Sequence, residues 1–243
     1  MTQSKLTKRV AESIECYFKE FGKTIIYSNE LHLQMHLAQF LERNNYQLLY
    51  EYKVPSEHLS GVDEKDSYPW RKSNGSPQDM YLDLVVFEKD EYVPIEIKYK
   101  TRSLNTSPSV FNRTECDVEW LRDQGAQDLG MYGFWKDVHW LEMVRGTYSA
   151  VKNGIAIFVT NDPYYIKNNP KSDVSHFDFR MTDNREITKP IILKWKKSGS
   201  KIAKEHPAFR LNVDNEYRLN WHNIGSHSNP REREDFSYCM LII

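Results

Sequence analysis

The chain has 243 residues, with 33 Lys and Arg against 34 Asp and Glu, so no overall basic field draws it to nucleic acid and any such binding rests on a local patch. Its 13% aromatic and 28% charged content excludes a disordered polar chain, and no apolar run approaches the ~20 residues of a membrane helix. Cys16, Cys116 and Cys239 are too far apart for a zinc knuckle, and the opening MTQSKLTKRVAESIECYF lacks the apolar core of a secretory signal, so the expectation is reduced thiols in a soluble, cytoplasmic protein.

Leu6, Val10, Ile14, Tyr17 and Phe21 recur at helical spacing and predict a helix over Lys5–Phe21, stopped by Gly22. Ser28 or Asn29 can cap a second helix, Glu30–Arg43, with Leu33, Leu37, Phe40 and Leu41 as its buried stripe. Tyr46–Val54 reads as a strand ended by Pro55. Residues 55–79, rich in Gly, Ser, Asp, Lys and Pro, read as an inserted loop in which Trp70, Arg71 and Lys72 could meet a nucleic acid or simply pack.

Met80–Lys100, MYLDLVVFEKDEYVPIEIKYK, has the alternation of two strands around the polar run Glu88–Glu91. A connection over those four residues sets Phe87 opposite Tyr92 and Asp83 opposite Glu96. Period two puts Lys98 on the face of Glu96 and sends Ile95, Ile97 and Tyr99 to the other. Two opposed carboxylates repel and call for a compensating cation, and an Asp inside the apolar run LDLVVF is costly to bury without a partner. A surface hairpin with a cross-strand ion pair would carry the same three letters.

Asp83, a gap, then Glu96-x-Lys98 on the next strand resembles the active-site signature of the PD-(D/E)XK nuclease superfamily; Leu82 stands where the family often has proline. The resemblance implies a restriction endonuclease-like α/β core, a central mixed sheet flanked by helices. It implies Mg²⁺ or Mn²⁺ on Asp83 and Glu96, and Lys98 beside the attacking water. A helix before the first core strand often adds a carboxylate in this family, which points to Glu30; a Glu in a first helical turn is also favoured by the helix dipole alone.

Beyond the hairpin, Lys100 and Arg102 continue the basic character of Lys98, and Ser103–Thr114 reads as a polar loop. A long helix is predicted over roughly Val118–Arg145, with Gln124, Gln127 and Asp128 on one side. RecB-type relatives carry a site-facing Gln on this helix, which implies a role for Gln124, although the spacing to Tyr132 departs from their pattern. GIAIFVT, Gly154–Thr160, reads as a central strand covered on both faces and completes a βαβ unit. Ser175–Met181, Ile191–Lys196 and Phe236–Ile243 are further candidate strands. KWKKSGSKIAK places Lys194, Lys196, Lys197, Lys201 and Lys204 together without an acid, the leading stretch for phosphate contact. The expectation is one domain over 1–243 with a C-terminal extension after about 161. The resemblance implies a metal-dependent nuclease acting on DNA more than RNA, alone, as a homodimer or with a partner subunit. The alternative is a nuclease-like module that binds nucleic acid or protein without cleaving.

Overall fold

The computed structural model describes residues 3–55, 58–59, 69–72, 74–106, 109–110, 113–114, 118–212, 216–226 and 235–243. Part of the predicted 55–79 insertion, part of the polar loop after Arg102, and Cys116 lie outside the described residues.

The chain opens with α1 (Lys5–Phe21), begun where Ser4 Oγ accepts from Thr7 N, and α2 (Glu30–Arg43), begun where Asn29 Oδ1 accepts from His32 N. Then come β1 (Gln47–Val54), β2 (Met80–Glu88), β3 (Glu91–Lys100), β4 (Leu104–Thr106), β5 (Ser109–Val110), β6 (Arg113–Thr114) and β7 (Val118–Leu121). The helix α3 (Gln127–Thr147) leads into β8 (Ile155–Thr160) and α4 (Pro163–Lys167). The remainder is β9 (Glu186–Ile187), β10 (Ile191–Leu193), α5 (Lys201–Glu205), β11 (Phe209–Leu211), β12 (Tyr217–Arg218), β13 (Trp221–Ser226) and β14 (Asp235–Ile242).

Six strands form a mixed sheet in the order β1-β2-β3-β8-β14-β13, in which β3 and β8 are parallel and every other pair is antiparallel. This is an α/β fold in which α3 lies on the crossover between the parallel neighbours β3 and β8. Every residue of β8 is buried, as its unbroken apolar run requires of a strand covered on both faces. α1 and α2 cover one face, packing Val10, Ile14, Leu33 and Leu37 against Leu84, Val86, Ile95, Ile97 and Tyr99. α3 covers the other, where Phe134, Trp135 and Leu141 meet Val85, Ala156 and Phe158.

Three expectations need correcting. The β2–β3 turn uses only Lys89 and Asp90, with Lys89 in the left-handed region at φ 54°; the register with Phe87 opposite Tyr92 holds. The long helix starts at Gln127, not Val118, because Val118–Leu121 pairs with β4 as a strand and Ala126, at φ 54°, breaks the path into the helix. Ser175–Met181 holds a short 3₁₀ turn at Phe177–Phe179, and the Ile191–Lys196 strand ends at Leu193. The segment after residue 161, legible only as an extension, supplies Phe179, Leu193, Trp195, Phe209 and Tyr217 to the core beneath α3. Trp70 belongs to that core as well: it is 7% exposed, donates from Nε1 to Tyr132 Oη at 2.8 Å and lies edge-on to Trp140, so it packs and presents no open ring.

Candidate active site

The edge strands change character at Asp83. β1 pairs Tyr50 with Leu84 and Tyr52 with Leu82 but skips the Glu51–Asp83 step, and Glu51 sits at φ 44°. Across that step Leu84 faces the α1/α2 core while Leu82 faces the α3 core, so the strict alternation slips by one residue. The β2–β3 ladder ends at Leu84–Ile95, one position before Asp83 and Glu96. Past it, side chains take over from carbonyls as acceptors for β3. Ile97 N donates to Asp83 Oδ2 at 2.6 Å and Tyr99 N donates to Glu30 Oε2 at 2.8 Å. Gln34, buried in α2, donates from Nε2 to Asp83 O at 2.8 Å and Glu51 Oε1 at 2.9 Å, which bridges the skipped Glu51–Asp83 step between β1 and β2. A carboxylate that replaces a main-chain acceptor uses one oxygen and keeps the other.

On the α3 face, Glu96 is 4% exposed and its Oε1 has no hydrogen-bond partner, an arrangement costing about 1–3 kcal/mol or more for a charged group left unmatched. Burial pushes the Glu96 carboxyl well above its ordinary range, and the charges of Asp137 and Asp83 push it further while Lys98 and Lys136 oppose them. Burial raises Asp83 to about 7; the Ile97 N–H opposes this, Asp137 and Glu30 add to it, and Lys98 subtracts. Lys98 Nζ lies 3.0 Å from Asp137 Oδ2, and that neighbour, against the cost of burial, holds the ammonium charged. The Lys98 stem runs past Gly133 of α3, where a Cβ would lie 3.4 Å from Lys98 Cε. Asp137, one turn further along α3, meets its end.

Asp83, Glu96, Lys98 and Glu30 are thus close enough for their charges to act on one another, from four places in the sequence. Gln124 is elsewhere. It precedes α3, is exposed, and its backbone N donates to Thr101 O at 2.9 Å, so the helical placement expected of it is wrong. Lys100 is half-buried near the end of β3. Arg102 already has a partner, its Nε 2.9 Å from Oδ1 of buried Asp162. In the basic stretch Lys196 pairs with Asp178 at 3.2 Å and Lys201 with Glu205 at 3.7 Å; Lys194 and Lys197 are exposed. This stretch reaches the site's helix through Trp195, which stacks on Tyr132 with ring centres 5.8 Å apart.

Sequence reasoning missed Asp137, Lys136 and Gln34. The signal for the first was present: FWKDVHWLEM sets large apolar residues on every side of the helix around Asp137, and a helix buried on most sides leaves a carboxylate at its centre little route to water. Gln34 carried no such signal, since its role follows from the skipped Glu51–Asp83 pair on strands distant in sequence.

Among the described residues no three His, Cys, Asp or Glu side chains stand together as a ready-made metal cage. The donor chemistry still suits a hard divalent cation. Mg²⁺ is commonly held by about one or two carboxylates, with water and substrate phosphate completing its octahedron, and Asp83 and Glu96 are all-oxygen donors, one with an orphaned buried oxygen. No helix among the described residues is long and apolar enough to cross a membrane. No family model matches the chain, and no curated protein or solved structure is significantly similar to it.

Proposed function

We propose that the protein is a metal-dependent nuclease of the PD-(D/E)XK type that hydrolyses phosphodiester bonds, in DNA more than RNA. The observation that carries this reading is the buried Glu96, its Oε1 unpartnered, beside Asp83 and Lys98 where β2 and β3 part. Charge counting supports it: Glu30, Asp83, Glu96 and Asp137 against Lys98 and Lys136 leave an excess of two negative charges when all are ionised, the deficit one divalent cation removes.

Asp83 and Glu96 are the residues that hold the cation. When bound, Mg²⁺ or Mn²⁺ supplies Lewis acidity toward a phosphoryl oxygen and lowers the pKa of a coordinated water. Lys98, partly exposed at its tip, orients the water and stabilises the charge that grows on the phosphoryl oxygens. Asp137 fixes the lysine rotamer and keeps it protonated. Glu30 accepts the Tyr99 amide of β3, and Gln34 bridges β1 and β2 beside these groups.

The test is a titration of Mg²⁺ and Mn²⁺ followed by thermal unfolding, paired with incubation with plasmid, linear duplex and single-stranded DNA and RNA. Cation-dependent stabilisation with cleavage is the expected result. Nucleic-acid binding without cleavage under any cation favours the binding-module alternative, and a melting temperature indifferent to both cations removes the metal site.

A further inference from the structure

Lys136 is the second cation of this cluster, and it has an unusual setting. It lies on α3 beside Asp137 and three residues after Gly133, the position that Lys98 runs past. Its Nζ is 4.3 Å from the centre of the Trp140 ring, one helical turn on, and 5.9 Å from that of Trp70. These rings are themselves locked, each 7% exposed and edge-on to the other. The side chain is half-buried, yet no described carboxylate forms an ion pair with it; Asp137 gives its contact to Lys98 and Glu96 acts on Lys136 only through space. An ordinary surface lysine extends its ammonium into water. This one lies against two indole faces, within reach of the charges of Asp137 and Glu96.

A desolvated cation with no matched anion is a binding element for an anion that arrives later. In the resting site a phosphate would meet the excess of carboxylates. Once a divalent cation has cancelled that excess, Lys136 and Lys98, close enough for their charges to act on one another, offer two positive charges to a polyanion with successive phosphates. We infer that Lys136 is a substrate-binding residue that takes the backbone phosphate next to the scissile one, leaving the scissile phosphate to Lys98 and the cation. This rests on the nuclease reading above.

The experiment compares the parent with Lys136→Met, which keeps the stem on Trp140, and Lys136→Arg, which restores the charge. Binding of a duplex DNA oligonucleotide is measured in Ca²⁺ over a range of salt, and cleavage in Mg²⁺. The expected result is about a tenfold weaker Kd for Lys136→Met, a salt dependence shallower by about 0.9 for the single lost phosphate contact, a matching rise in KM larger than any fall in kcat, and recovery in Lys136→Arg. If the parent cleaves while Lys136→Met keeps the parental Kd and salt slope, the inference fails and the nuclease reading stands. A loss that appears in kcat alone, or a Kd that Lys136→Arg does not recover, likewise assigns Lys136 to packing. A parent that neither binds nor cleaves DNA or RNA overturns both.

Discussion

The two ends of the β2–β3 hairpin are made of the same two strands and behave as different materials. Near the turn, Leu84–Ile95 through Glu88–Glu91 pair in unbroken register, and their side chains alternate between two apolar cores. At the far end the ladder stops, Glu51 takes a positive φ, and the carboxylates of Asp83 and Glu30 accept the β3 amides that a neighbouring strand would otherwise satisfy. The closed end is stabilised by backbone pairing and burial. The open end spends stability on a cluster of buried charge, as sites built for chemistry do. The acidic cluster gathers where β2 and β3 stop pairing with each other while β3 stays paired with β8, so that side-chain carboxylates meet the β3 amides on the β2 side.

That contrast can be broken most severely at its acidic end. Asp83→Ala is expected to abolish the response of the melting temperature to Mg²⁺ and, with it, cleavage; both are read in one set of melts and one gel. Lys98→Ala is expected to keep the cation response and nucleic-acid binding while kcat falls about 10²–10³-fold, the cost of removing one preorganised electrostatic donor. Equal cleavage by Lys98→Ala and the parent would return the hairpin to a purely structural role.

Much of the closed end was legible in advance and much of the open end was not, for a physical reason. Period-two alternation and Asn29 as a cap specify local elements, so both first helices, the hairpin register and β8 could be read from nearest neighbours alone. Asp83, Glu96 and Lys98 were legible because one strand pair brings them together. Asp137 joins them only through the tertiary docking of α3 on β3, and Gln34 only through the skipped Glu51–Asp83 pair, neither of which has a local pattern. Gln124 shows the reverse error: the motif suggested a helix, whereas the left-handed Ala126 and the β4–β7 pairing settled the backbone differently.

pH offers a second way to separate the ends. Asp83 has a folded pKa near 7 against an ordinary 3.8, so the folded state binds the extra proton between those values. Its contribution to stability is therefore fully present below about pH 4, is lost as pH rises toward 7, and is flat above that. In the absence of divalent cation the parent should lose melting temperature from pH 5 to pH 8 more steeply than Asp83→Asn does, and saturating Mg²⁺ should narrow the difference by stabilising the ionised form. A parallel pair of melting curves for parent and Asp83→Asn would contradict the assignment of this proton to Asp83.

A smaller effect is expected at Glu30. Gln can still accept the Tyr99 N–H through its amide oxygen, so Glu30→Gln should fold and melt within about 1 kcal/mol of the parent, in line with loss of one charge at a helix N-terminus. Its activity should nevertheless fall if the carboxylate adds to the field around the cation, and parental turnover in this variant would reduce Glu30 to a strand-holding residue. Glu30→Ala is the control: it orphans the Tyr99 amide and should lower stability by about 1–3 kcal/mol whatever the chemistry.

The smallest expected effect lies far from the hairpin, in Lys194–Lys204. The sequence presents a uniform basic run, but two of its lysines are already matched, Lys196 by Asp178 and Lys201 by Glu205, and exposed pairs of this kind contribute only about 0–1 kcal/mol either way. A lysine held by its own carboxylate adds little net charge to an approaching phosphate. Lys197→Gln should therefore flatten the salt dependence of DNA binding more than Lys196→Gln or Lys201→Gln, by at most about one unit of slope for one lost contact, and none of the three should change kcat. The segment reaches the site's helix through Trp195 stacked on Tyr132, so on the proposed nuclease reading its charges would guide the nucleic-acid backbone and leave the reacting phosphate to Lys98. Identical salt slopes for all three variants and the parent would place this run outside the interface, and the approach of substrate would then rest on the cations at the open end of the hairpin.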